Sequence, residues 1–157
     1  MSPFFRTVIF TIVVPGFWTV AMPYWLLPSG ARPMFGAAGI AGVVLLLAGF
    51  ALYLACAFWG FALRGKGTPA PFDPPKKLVV EGPYRIVRNP MYWGVLCIVA
   101  GEAVVFRSLL LAELSAAFFV GVNLFVLFYE EPALRHKFGP EYEDYCRRVP
   151  RWLPHLW

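Results

Sequence analysis

Charge is scarce in this chain. Of its 157 residues, 15% are charged and 59% hydrophobic, whereas a soluble domain is about a quarter charged. The mean hydropathy is +0.63. No charged side chain occurs from Thr7 to Ala31, and none from Pro33 to Leu63. Each run exceeds the roughly 20 residues that a membrane-spanning helix needs, so these features point away from a soluble fold and towards a membrane. Metal-binding patterns are lacking too. The three cysteines, Cys56, Cys97 and Cys146, form no CxxC, and His136 and His155 belong to no ligand spacing. We expect no metal, and packing roles for the cysteines. The first apolar run is too long and too weakly basic at its start for a cleaved signal peptide, and it contains Pro15 and Pro23.

What remains reads as one all-α membrane domain over 1–157, with four spans at about 3–27, 33–63, 89–106 and 108–131. The third and fourth hold single acids, Glu102 and Glu113. Residues 64–88 form a long loop and 132–157 a tail. Twelve of the 14 Lys and Arg residues fall before span one, in that loop or in that tail; Arg32 and Arg107 are the exceptions. By the positive-inside rule both termini and the loop are cytoplasmic. The net charge of +5 then reflects topology, and no nucleic-acid partner is expected.

Local signals refine this picture. Pro15-Gly16 and Pro23 are expected to kink span one, which membrane helices tolerate. Gly36, Gly39, Gly42 and Gly49 mark a close-packing face on span two. The loop start RGKGTPAPFDPPKKLVV (64–80) has four prolines, which forbid a regular helix. Its apolar Phe72, Leu78, Val79 and Val80 are expected to pack at the membrane surface. Asn89 is a favoured N-cap and Pro90 a favoured first residue for span three. Arg107-Ser108 makes a tight outer turn, so spans three and four form a hairpin. Glu102, Arg107 and Glu113 near that turn are expected to snorkel and pair. Beyond Gly139-Pro140, residues Phe138, Tyr142, Tyr145, Cys146 and Val149 form an apolar stripe. This predicts a short cytoplasmic amphipathic helix on the membrane or capping the bundle, with Trp152 and Trp157 as interface anchors.

The hairpin sets two features side by side. One is EGPYRIVRNPMYWG (81–94), with Arg85 and Arg88 before the positive end of a helix, which suits carboxylates or phosphates. The other is Glu130-Glu131 at the end of span four, two adjacent carboxylates that need a cation. A zwitterion fits both poles. S-adenosylmethionine is such a ligand, and Tyr84, Tyr92 and Trp93 are candidates for its adenine slot. The blander alternative is positive-inside arginines, with the glutamates paired to Arg135, Lys137 or those arginines as a surface network.

These strings carry a resemblance. GPYRIVRNPMYWG (82–94), YEEP (129–132) and FGPEYEDYCRRVPRWLP (138–154), with the lead-in PFDPPKKLV, resemble the integral-membrane methyltransferases of the isoprenylcysteine carboxyl methyltransferase and phospholipid N-methyltransferase superfamily. The likeness covers about residues 70–154. It implies that S-adenosylmethionine binds at the cytoplasmic ends of the last two spans under the C-terminal segment, and leaves as S-adenosylhomocysteine. Arg88, Asn89, Pro90, Tyr92 and Gly94 match one motif, Glu130 and Glu131 another, and Tyr142 and Arg151 match pocket positions. The isoprenylcysteine branch usually has His where Asn89 stands; Asn resembles the phospholipid branch and removes a group that titrates near neutral pH. The implied acceptor is lipophilic, entering from the bilayer, with Arg85 or Arg151 steering an anionic group on it. No residue is an obvious general base; His136 is the nearest candidate. An NADPH-dependent reductase of the sterol-reductase type is the rival enzyme, although Pro132 and Lys137-Phe138-Gly139 depart from its pattern. A non-catalytic membrane protein is the rival outside enzymes.

Overall fold

The computed structural model describes residues 2–65 and 76–154. Five helices and no strand occur among them. Helix α1 spans Phe4–Leu26, α2 Ala37–Gly65, α3 Pro90–Phe106, α4 Leu109–Phe138, and α5 Pro140–Arg148; a 3₁₀ turn, Gly82–Arg85, precedes α3. Three of them, α1, α2 and α4, are long and apolar enough to cross a membrane, and α3 is a shorter apolar helix of 17 residues.

Two expected boundaries move, each for a local reason. The second helix starts at Ala37 rather than Pro33, because Gly36 at its N-cap takes φ 97°, outside helical space. The fourth continues to Phe138 instead of ending at 131. Pro132 does not stop it because the preceding turn, Val126–Glu130, is π-helical, with the Glu131 N–H bonded to the Val126 carbonyl. The same device recurs in α1. Phe17–Ala21 is π-helical, the Met22 N–H bonds the Phe17 carbonyl, and Pro23 follows. A proline collides with the carbonyl four residues back and cannot donate to it; a widened turn moves that carbonyl aside. The kink expected at Pro23 is thus a widened turn.

The α2–α3 contact is the tightest in the bundle. A Cβ on Gly49 would lie 2.6 Å from the Gly94 carbonyl oxygen, and one on Gly101 would lie 2.7 Å from the Gly42 oxygen. Small residues here let backbones touch, the usual basis of helix association in lipid. Gly42 and Gly49 therefore act as the sequence suggests, whereas Gly36 serves a turn. Around this seam Tyr53, Cys56, Ala57, Tyr84, Met91, Val95 and Phe118 make a buried cluster. Cys56 sits in α2, Cys97 in α3 and Cys146 in α5, and all three are free.

The α3–α4 turn is built by Arg107, in the left-handed region (φ 49°, ψ 40°), and by Ser108, whose Oγ accepts from the Leu111 N–H at 3.3 Å. The expected pairing of Glu102, Arg107 and Glu113 is not found among the described residues. Arg107 Nε instead donates to the Met34 sulfur at 3.1 Å, and Glu102 Oε2 is buried without a hydrogen-bond partner there.

The stripe on α5 faces protein. Tyr142, Tyr145 and Val149 are buried with Leu78, Leu134, Phe138 and Cys146 around them. Of the loop residues expected to pack, Leu78 joins this cluster and Val79 is buried, whereas Val80 is exposed. Phe72 and Trp157 lie outside the described residues.

Candidate active site at the α3–α4 ends

The chain following α5 returns across the N-terminal end of α3. The Arg88 N–H donates to the Pro150 carbonyl at 2.8 Å, Asn89 Nδ2 to the Arg151 carbonyl at 3.3 Å, and Trp93 Nε1 to the Trp152 carbonyl at 2.9 Å. Three successive carbonyls are thereby read by the entry to α3. Asn89 is the N-cap by position, but its side chain makes no capping bond. It is buried and spent on the returning segment, which corrects its expected role as a hydrogen-bonding cap.

Trp152 is a wedge in the hairpin, which corrects its reading as an interface anchor. Its Nε1 donates to Asn123 Oδ1 at 2.9 Å. Its ring lies 5.2 Å from Phe119, 6.4 Å from Tyr92 and 6.5 Å from Trp93. A buried indole N–H needs an acceptor. Asn123, an amide in the apolar run of α4, supplies it. Sequence reasoning passed over Asn123, although a polar amide in such a run is the available signal.

Adjacent residues on a helix point roughly 100° apart, and Glu130 and Glu131 accordingly meet different partners. Glu131, 3% exposed, is saturated with arginine. Arg151 grips it with two bonds, Nε to Oε1 at 2.7 Å and Nη2 to Oε2 at 2.9 Å. Arg88 Nη1 stands 3.0 Å from Oε1, and Arg135 Nη2 3.8 Å from Oε2. A buried carboxylate is tolerable only when paired and hydrogen-bonded in this way. Arg88 also donates to the Cys146 sulfur at 2.7 Å, and Arg135 reaches Glu143 at 2.9 Å. The knot ties α3, α4, α5 and the C-terminal segment together. The bond to Glu131 pushes the Arg151 guanidinium pKa up.

Glu130 is half-buried, and its partner is the Tyr92 hydroxyl, which donates to Oε2 at 2.8 Å. No cation pairs with it among the described residues. A carboxylate with a hydroxyl donor and no counter-charge, beside an aromatic cluster, is suited to a ligand with a positive end.

The other expected site residues divide. Pro90 is buried at the start of α3. Tyr142 is buried beside Tyr145, whose hydroxyl donates to the Tyr84 carbonyl at 2.8 Å. Burial pushes the phenols of both Tyr142 and Tyr145 above their ordinary range, so each stays protonated at neutral pH. Tyr84 is buried edge-on to Phe61, at 5.8 Å, apart from the Trp93–Trp152 cluster. Gly94 lies in the α2–α3 seam, where a Cβ would come within 2.8 Å of the Tyr53 backbone nitrogen. Arg85 is exposed and makes no ion pair among the described residues, and His136 is exposed. No cluster of metal-binding side chains occurs among the described residues.

Protein-S-isoprenylcysteine O-methyltransferase B of Arabidopsis thaliana is 42% identical over 82 residues, 50% of this chain and 40% of the relative. A probable protein-S-isoprenylcysteine O-methyltransferase of Oryza sativa subsp. indica is 37% identical over 90 residues, 54% of this chain and 44% of the relative. The nickel-cobalt-cadmium resistance protein NccN of Alcaligenes xylosoxydans xylosoxydans is 34% identical over 80 residues, 51% of this chain and 37% of the relative. The matches thus span less than half the length of these curated relatives. No solved structure matches. The family model described as "Phospholipid methyltransferase" matches residues 37–141, from the first residue of α2 to the first turn of α5. A match over that much of the sequence, with the apolar helices that contain it, makes this chain a membrane protein that belongs to the phospholipid methyltransferase family.

Proposed function

We propose that the chain transfers a methyl group from S-adenosylmethionine to a lipophilic acceptor at the joined ends of α3 and α4. The observation that carries this reading is the division between the two glutamates. Glu131 is neutralised within the protein, while Glu130 has a hydroxyl donor and no cation among the described residues. In this reading Glu130 and Tyr92 receive the amino end of the donor, and the Tyr92, Trp93 and Trp152 rings supply its apolar surroundings. Arg88, Asn89, Pro90, Glu131 and Tyr142 hold that wall in place, and Gly94 sets the depth at which α3 lies against α2. Tyr84 supports α5 through its carbonyl rather than contacting the ligand.

S-adenosylmethionine supplies a methyl on a sulfonium, already activated for in-line displacement. The chain's task is then to align the acceptor and exclude water. The aromatic wedge around Trp152 serves both. Arg85 is the exposed cation that steers an anionic group of the acceptor, whereas Arg151 acts through Glu131 as a positioning residue. Tyr142 and Tyr145 remain protonated and His136 is exposed, so none of them suits the role of proton acceptor. This favours an acceptor atom that is nucleophilic without assistance, such as a carboxylate oxygen, over a thiol. A phospholipid amine in its neutral form is the second choice.

The test is thermal unfolding of the detergent-solubilised protein with S-adenosylmethionine, S-adenosylhomocysteine or NADPH. Stabilisation by the first two is expected. Stabilisation by NADPH alone would favour the reductase reading, and no response to any of them a non-catalytic role.

The same reading makes α1 to α4 four spans, with both termini, the loop before α3 and the site on the cytoplasmic side. α3, about 25 Å long at 1.5 Å per residue, is short for a core of about 30 Å and relies on its α2 and α4 neighbours. A reporter fused to either terminus should read cytoplasmic. Opposite readings at the two ends would mean an odd number of spans and refute this topology.

A further inference from the structure

A second feature lies along the same hairpin. A groove of about 890 Å³ runs between α2, α3 and α4. Its walls are cut back by Ala100, Ala103, Ala112 and Ala116, and Trp93 and Phe119 line its site end. At the other end stands Arg107, the one charged residue among the described residues that line it. From Trp93 to Arg107 the groove follows α3 for roughly 21 Å at 1.5 Å per residue. One leaflet of hydrocarbon is about 15 Å, half the core. The groove is therefore long enough to take a whole acyl chain.

Arg107 is arranged for an anion at that mouth. It is exposed, makes no ion pair among the described residues, and has Nε directed to the Met34 sulfur. The remaining guanidinium N–H groups form a fork suited to phosphate. Its backbone is left-handed at φ 49°, where glycine is favoured at a helix end. A long cation thus occupies a position that the turn alone would give to glycine.

We propose that this groove is a phospholipid site, with an anionic phosphate bound by Arg107 at the α3–α4 turn and one acyl chain lying along the alanine-lined walls. The head of this lipid sits at the end of the hairpin opposite Glu130, while the groove's other end reaches Trp93 and Phe119 beside the methyl-transfer site; capture of the phosphate by Arg107 does not depend on that function. Charge complementarity selects the occupant: an apolar groove with a single cation at its mouth matches a molecule with one long chain below one negative head.

The test is native mass spectrometry of the detergent-solubilised protein, titrated with palmitoyl-oleoyl phosphatidylglycerol or with diacylglycerol carrying the same chains. The wild type is expected to retain phosphatidylglycerol at least tenfold better than diacylglycerol. Arg107→Gly, whose backbone suits the turn, should lose that preference while its unfolding temperature stays equal or rises. Ala116→Phe, which fills the groove, should weaken retention of both lipids. Equal retention of the two lipids by the wild type would overturn the proposal. So would undiminished phosphatidylglycerol retention in either variant.

Discussion

Glu131→Ala is expected to be the most damaging single substitution, lowering stability by about 3–5 kcal/mol, the usual cost of stranding a buried ionic partner. The direction follows from the partners. Arg88, with its side chain 11% exposed, and Arg151, at 31%, both converge on this carboxylate. Removing it leaves Arg88 partly buried and uncompensated, and it releases Arg151, whose carbonyl and whose neighbours' carbonyls hold α3. Thermal unfolding in detergent measures the loss, and limited proteolysis should show the segment after α5 cut sooner. Arg135→Ala is the control. That side chain is half exposed and 3.8 Å from the carboxylate, so its loss should cost less than about 1 kcal/mol, as exposed pairs do. Equal effects of the two substitutions would show that Glu131 is not the centre of the knot.

Glu130→Gln is expected to do the reverse, leaving the fold and removing the ligand. Glutamine keeps the shape and can still accept from the Tyr92 hydroxyl, so stability should change by under about 1 kcal/mol, the worth of an ordinary hydrogen bond. A charge-assisted contact to a ligand cation in a partly desolvated site is worth more, about 2–4 kcal/mol. At 1.4 kcal/mol per tenfold, affinity for S-adenosylhomocysteine should fall roughly 30- to 1000-fold.

Much of this architecture was legible in the sequence, for physical reasons that can be named. Charge-free runs marked α1 and α2, because a helix in lipid tolerates few charges. Asn89-Pro90 marked the start of α3 to the residue, since a proline suits the first turn and little else in a helix. The α5 stripe was readable from its spacing, and so was the meeting of the α3 entry with Glu130-Glu131.

Other features lay beyond that reading. Pro132 reads as a stop, and only the π-helical turn before it lets α4 run on. Whether Arg88 and Arg151 serve a ligand or a neighbouring carboxylate is a question of distance, which spacing along the chain does not contain. The blander alternative, arginines pairing with the glutamates, describes Glu131, although the network is buried rather than superficial. It does not describe Glu130, and that asymmetry between adjacent, chemically identical residues has no signature in the sequence. Trp152 reads as an interface anchor by its place near the end of an amphipathic segment, and it became a wedge because Asn123 offers its indole a partner.

The division between the two glutamates is tested most directly by the thermal shift that S-adenosylhomocysteine produces in the wild type and in Glu130→Gln. The wild type should be stabilised, and Glu130→Gln should unfold at the wild-type temperature without ligand yet gain little or nothing when ligand is added. A Glu130→Gln protein stabilised as strongly as the wild type would contradict the assignment of Glu130 as the cation-binding pole.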